Sequence, residues 1–346
     1  MWQRQKAGDG AALLQAKEIR IGVGVEDVEY ISKKMAMEVL SQFSQDAYEV
    51  MRQRVEEFAQ AYIGQLASDT PAAVGNLKDP GVQAAILDAE SAYAKSGDEE
   101  LGSLLVDILT KRTKTMERGV HQLALNEALN TSQKLTTRQY ALLSLIFIIR
   151  YVQLGASSIE GLHSKWRSIL GPLVADLKIS TSNTDVQHLL ATGCLSLLPL
   201  RRAVHECLLD TYSAFFALGF PPDDTVMKQV TNPSFFQPCM RNAENLQVAA
   251  LNLGELDAQM EAAETPEHER ALLRNLLSAN PMNGADISTE FAEVIPGMKE
   301  VVPAWDNTML SQVALNSVGL VIAHSNIMRL TEGEFGTAME VFLPED

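Results

Sequence analysis

Histidine and cysteine are the residues of this chain best suited to nucleophilic or metal chemistry, and their spacing limits what they could do. A metal site needs several His, Cys or carboxylate ligands at matched intervals. Cys194 and Cys207 stand thirteen positions apart with no Cys-x-x-Cys, and Cys239 stands alone beside Pro238. His188, His205, Glu206 and Cys207 could meet only if the chain folds back at Pro199. Asp185 and His188 share one helix face at i, i+3, a pairing common by chance. For nucleophilic catalysis Cys207 needs a base within hydrogen-bond reach. His205, two residues away, points to a different helix face, so a buried apolar thiol is the expectation. His324 and Asn326 sit in an apolar stretch, where a hydrogen-bonded core or interface pair is expected over a ligand contact. His188, His205, Cys207, His324 and Asn326 are therefore the candidate polar site. No catalytic, metal or cofactor-binding residue is expected.

Motifs point the same way. No Gly-x-Ser-x-Gly elbow, Walker A loop or His-Glu-x-x-His is present. Ile21-Gly22-Val23-Gly24-Val25 lacks the third glycine and the strand–helix–strand setting of a dinucleotide loop. Lys111-Arg112-Thr113-Lys114 is the densest basic cluster, and its place at a helix C-terminus is explained by the helix dipole. With 28 Lys plus Arg against 44 Asp plus Glu, the formal charge is −16, which disfavours general binding of nucleic acid. An odd count of three cysteines suggests no disulfide framework and a reducing, cytoplasmic setting.

The elements that would carry these residues are mainly α-helical. The N-terminus has no apolar core of a secretory signal. Tyr140–Ile149, stopped by Arg150, is the longest apolar run and about half of what a bilayer crossing requires. It reads as a helix buried in a bundle, without resting membrane association; insertion on triggering is the alternative. Lys17 to Val23 alternates polar and apolar residues like a short strand. Such a lone strand must pair with something, and a second copy is the expected partner. Glu26–Leu66 reads as one helix of about 60 Å, longer than one compact domain needs. Ile19, Ile21, Val28, Met35, Phe43 and Phe58 are accordingly expected to mediate homo-oligomer assembly.

Further on, Asp79 and Pro80 open a helix that closes at Ser96-Gly97, and Asp98-Glu99-Glu100 opens the next. Helices follow at about 117–131, 136–153, 157–176 and 184–218. The Pro- and Phe-rich stretch 219–239 marks a boundary, giving an assembly element 1–25, a helical body 26–219 and a smaller acidic helical region 220–346. That last region holds helices at about 242–263, 266–279 and 305–329 and a short strand at 340–343. Ten acids against three bases between Gly254 and Glu300 form a solvated face that could also dock a basic protein. The fold class is thus a multi-helix bundle with one long N-terminal helix preceded by a short β-strand.

Three stretches carry a resemblance. They are Gln5–Asp9 with Leu14–Lys17 and Ile19–Ile21, then Asp79–Gln83 with Ser96–Leu101 and Leu125–Ala128, and lastly Trp305–Asn307 with Ser317–Ile327. In this order they resemble an uncharacterised bacterial helical family with an N-terminal Gly-Asp…Gln-Ala element, loosely similar to abortive-infection proteins. Lys17 departs from the family element. The resemblance carries no catalytic residues. Together with the lone strand and the overlong helix, it points to a non-enzymatic, self-assembling interaction protein of anti-phage defence. The alternatives are an enzyme with a site built at an oligomer interface and a membrane-disrupting effector.

Overall fold

Helix punctuation written in the sequence is obeyed locally, while the longest reaches of the chain are broken by tertiary pairing. The computed structural model describes residues 44–175, 177, 183–222 and 227–343. The expected strand and the first half of the expected long helix, with Ile19, Ile21, Val28, Met35 and Phe43, lie outside them. The described chain is mainly helical and divides into two units. Among the described residues the first comprises 44–140, 317–329 and 336–343; the second comprises 141–175, 177, 183–222, 227–316 and 330–335. The Pro- and Phe-rich 219–239 stretch falls inside the second unit instead of between units.

In the first unit, α1 (Gln45–Asp69) turns Met51, Val55, Phe58, Tyr62 and Leu66 inward at three- and four-residue steps. Val50, on the same helix, is exposed. Phe58, expected at an assembly surface, is buried against Tyr93 of the same chain, with ring centroids 5.9 Å apart. Asp79 caps α2 (Pro80–Ser96) by accepting from the Val82 N–H, and Gly97 closes it in the left-handed conformation at φ +64°. Asp98 caps α3 (Glu99–Lys114), accepting from the N–H groups of Glu100 and Leu101. Helix α3 buries Leu101, Leu104, Leu105, Ile108 and Leu109, and packs against α1, α2 and α4 (Val120–Ser132). The Tyr62 and Thr113 hydroxyls meet at 2.7 Å between α1 and α3.

Helix α5 (Thr137–Tyr151) is the apolar run, and every residue from Tyr140 to Ile149 is buried. No helix among the described residues is long and apolar enough to cross a membrane.

The second unit holds α6 (Ile159–Ala175) and then departs from the expected continuous helix at 184–218. Helix α7 (Thr184–Ala191) ends at Gly193, whose φ of +75° suits glycine. Strand β1 (Leu195–Leu197) and helix α8 (Val204–Thr211) follow. Strand β1 pairs antiparallel with β4 (Val313–Leu315), Leu195 opposite Leu315 and Leu197 opposite Val313. That pairing also divides the helix expected at 305–329. Its first part ends α12 (Met298–Asn307), and its last part is α13 (Ser317–Leu330). Likewise the helix expected from 242 starts only at α9 (Leu253–Ala262), because Leu246–Val248 is strand β3, paired with β2 (Phe236–Pro238). Helices α10 (Glu267–Leu277) and α11 (Gly284–Val294) complete the unit. The tail expected as a strand forms a 3-10 turn at Met339–Val341.

Candidate functional site

The five sequence-nominated polar residues do not form one site. His188 lies exposed on α7. His205 is half-buried on α8 with its ring against Gly284, where a Cβ would come within 2.4 Å of the imidazole. Cys207 is buried on the same helix. Burial raises its thiol pKa, and the opposing pull of Arg150 and Arg202 does not cancel that. A protonated, buried thiol is a poor nucleophile. Among the described residues no group of three His, Cys, Asp or Glu side chains could hold a metal ion.

His324 and Asn326 belong to a different place. Helix α13 buries both and presents His324 and Ser325 to Asp107 and Lys111 of α3. The i, i+4 spacing of Asp107 and Lys111 brings their side chains together as an ion pair. The Lys111 ammonium also donates to Ser325 Oγ at 2.9 Å and to His324 Nδ1 at 3.1 Å. His324 Nε2 lies 2.8 Å from the Thr337 carbonyl oxygen, so that nitrogen carries the hydrogen and Nδ1 is left to accept from lysine. All three lysine protons therefore have acceptors. Burial, joined by the neighbouring Lys111 charge, pushes the His324 pKa down to about 4, so the ring is neutral at pH 7. Burial also lowers the Lys111 pKa, opposed by Asp107.

A lysine beside a serine hydroxyl can serve as general base for acyl transfer, but only when the amine is neutral and the hydroxyl meets substrate. Here the ammonium is held by a carboxylate, and Ser325 is fully buried. The arrangement ties α3 to α13 and to Thr337. One turn on, Arg329 donates to Asn326 Oδ1 at 2.9 Å and lies 3.7 Å from Glu100.

A second constellation, in the other unit, lay outside the sequence expectations. Helix α11 places Glu290 between two donors. The guanidinium of Arg241 grips both carboxylate oxygens at 2.8 Å, and His163 Nε2 on α6 lies 2.8 Å from Oε1. Burial alone would raise the Glu290 pKa, yet hydrogen bonds from Arg241 and His163 outweigh it and hold the carboxyl below its ordinary value. The His163 ring stacks on Trp166 at 5.7 Å, and Arg241 lies 5.3 Å from the Phe216 ring centre and donates to the Phe215 carbonyl. An open groove of about 580 Å³ borders this tie, lined by His163, Arg167, Asp286, Thr289, Glu290 and Glu293. Both oxygens of Glu290 are engaged, so its geometry suits holding α6, α11 and the Arg241 loop together better than proton transfer.

A family model matches residues 22–338 of this 346-residue chain. The chain belongs to that uncharacterised family. No curated protein and no solved structure matches the chain. The family's span takes in both polar constellations, and the resemblance seen in the sequence is borne out at family level.

Proposed function

We propose that this member of the family is a non-enzymatic helical interaction protein that assembles with copies of itself, in the cytoplasm, as part of bacterial anti-phage defence. One observation carries the reading: an apolar turn that has no counterpart inside the fold. Leu197 is 59% exposed and Leu200 is 74% exposed, with Pro199 exposed between them. A cluster of large apolar side chains left in water marks a contact surface better than a lone one does. The alternating Lys17–Val23 stretch supports the same reading from the sequence. The strongest ionisable clusters, around Lys111 and Glu290, are taken up by internal partners, which favours a scaffold over a reaction centre. The three free, buried cysteines are compatible with a reducing compartment.

Light scattering on the full chain tests this. The expected result is a particle heavier than the 37.9 kDa chain, reduced in mass by the double substitution Ile19→Asp with Ile21→Asp. A 37.9 kDa particle at every concentration reached would overturn it. In cells, expression should lower phage plating efficiency, and the same double variant should lose that effect.

A further inference from the structure

Residues 336–343 lie against His324 of α13, and both belong to the first unit. Of these eight residues only Met339 is buried, while Ala338, Glu340 and Val341 stand in solvent. A segment with so few buried side chains belongs to the low-stability end of a fold, where local opening is easiest. Thr337 and Phe342 bind it to the imidazole. The Thr337 carbonyl oxygen accepts the Nε2 hydrogen at 2.8 Å, and the Phe342 ring centre lies 6.3 Å from that of His324. His324 is 1% exposed, so the closed fold keeps its ring out of water.

The second ring nitrogen fixes which form of histidine this arrangement accepts. Nδ1 accepts from the Lys111 ammonium at 3.1 Å, so a neutral ring satisfies both contacts. An imidazolium carries a hydrogen on each nitrogen, and the one on Nδ1 would point at a cation. The charged groups facing the ring are Lys111 and Asp107 on α3 and Glu340 on the segment itself. Burial and then Lys111 oppose protonation, against the Thr337 hydrogen bond, Asp107 and Glu340, and the balance holds the pKa at about 4. We propose that residues 336–343 form a proton-released latch, shut on neutral His324 and lifted when Nδ1 takes a proton from solution. Lys111 then gives up one acceptor and keeps Asp107 and Ser325. In the lifted form the ring meets water and its pKa returns toward the ordinary 6.5, so falling pH favours opening from that value downward. The latch goes beyond the self-assembly reading and operates in a single copy of the chain.

Hydrogen exchange on the full-length chain, corrected for the intrinsic effect of pH on exchange, tests it. The readout is the amides of Phe342 and Leu343, which donate to the Met339 carbonyl oxygen. From pH 7.5 to pH 5 their open fraction should rise about thirtyfold, as follows from a histidine that titrates near 4 when shut and near 6.5 when open. His324→Gln keeps one donor and one acceptor but cannot titrate, so its open fraction should stay level over the same interval. A level wild-type profile overturns the latch. So does a His324→Gln profile with the wild-type slope, which would move the pH dependence to Glu340, Asp107 or Lys111. The reciprocal measurement keeps the test decisive if His324→Gln folds poorly. Met339→Ala with Phe342→Ala removes the segment's buried anchor and its ring contact, so the His324 pKa, followed by proton NMR, should climb from about 4 toward 6.5. A His324 pKa unmoved by that double change also overturns the proposal.

Discussion

Lys111 and Arg241 do similar work in the two units by different means. Lys111 is a compact, partly buried ammonium, its three protons divided among a carboxylate, an imidazole and a hydroxyl. Arg241 is a planar fork beside an open groove, and both arms close on one carboxylate. A point charge can satisfy three acceptors arriving from different directions, whereas a fork needs one acceptor of matching shape. The two pairs keep similar side-chain exposure, 16% and 16% for Lys111 and Asp107 against 15% and 18% for Arg241 and Glu290, so what differs is how many groups lose a partner when the cation is removed.

The largest expected effect follows from that. Lys111→Met leaves the Asp107 carboxylate, His324 Nδ1 and Ser325 Oγ without their cation in a partly buried site, so urea denaturation should show a loss of about 3 kcal/mol. Replacing both partners, Asp107→Leu with Lys111→Met, should cost less than Lys111→Met alone. A double variant less stable than Lys111→Met would show that the unpaired carboxylate is not what makes the single change costly.

Acid separates the two ties along the pH axis. His324 has a folded pKa near 4 against an ordinary value of 6.5. Its contribution is therefore complete above pH 6.5 and is lost as pH falls from there toward 4, because the unfolded chain takes up the proton first. The full span is worth about 3 kcal/mol, and His324→Gln should flatten the stability profile over that interval. The folded pKa of Glu290 is depressed too, but against its burial, because hydrogen bonds from Arg241 and His163 favour its charged form, whereas burial disfavours the charged form of His324. The Glu290 contribution is present above the ordinary glutamate value and is lost only as pH falls below it, so Glu290→Gln should change the profile at lower pH than His324→Gln does.

Arg241→Lys should cost about 2 kcal/mol in thermal unfolding, because the charge survives but the two-armed grip on Glu290 does not. A loss matching that of Lys111→Met would erase the contrast between the three-partner tie and the two-armed one. The smallest effect is expected at Gly97→Ala, about 1 kcal/mol. The Arg54 guanidinium that its Cβ would meet can swing aside, but the positive φ cannot be relieved.

Legibility in the sequence followed the range of the interactions. The Asp79–Pro80 start, the Gly97 stop and the Asp98 cap were readable because each acts within one helical turn. The burial of Tyr140–Ile149 was readable because the Tyr140 and Ser144 hydroxyls are the only polar side-chain groups in the run. The break at 195–197 was not. Leu195–Leu197 keeps helix-compatible residues and becomes a strand because Val313–Leu315, more than a hundred positions away, supplies its backbone partners. The same range limit hid the polar ties. Lys111 was assigned to the helix dipole, and nothing near it in the chain signals His324. His163 and Glu290 stand 127 positions apart.

Composition, capping residues and apolar periodicity by themselves determined that this chain is mainly helical, where many of its helices begin, and which stretch would be most deeply buried. These follow from forces that act within a turn of backbone or on a side chain's contact with water. Tertiary structure alone decided which charges would be extinguished against one another, which helices would yield to short ladders, and which leucines would be left outside. Those outcomes depend on distances between segments remote along the backbone, and no local pattern encodes such distances.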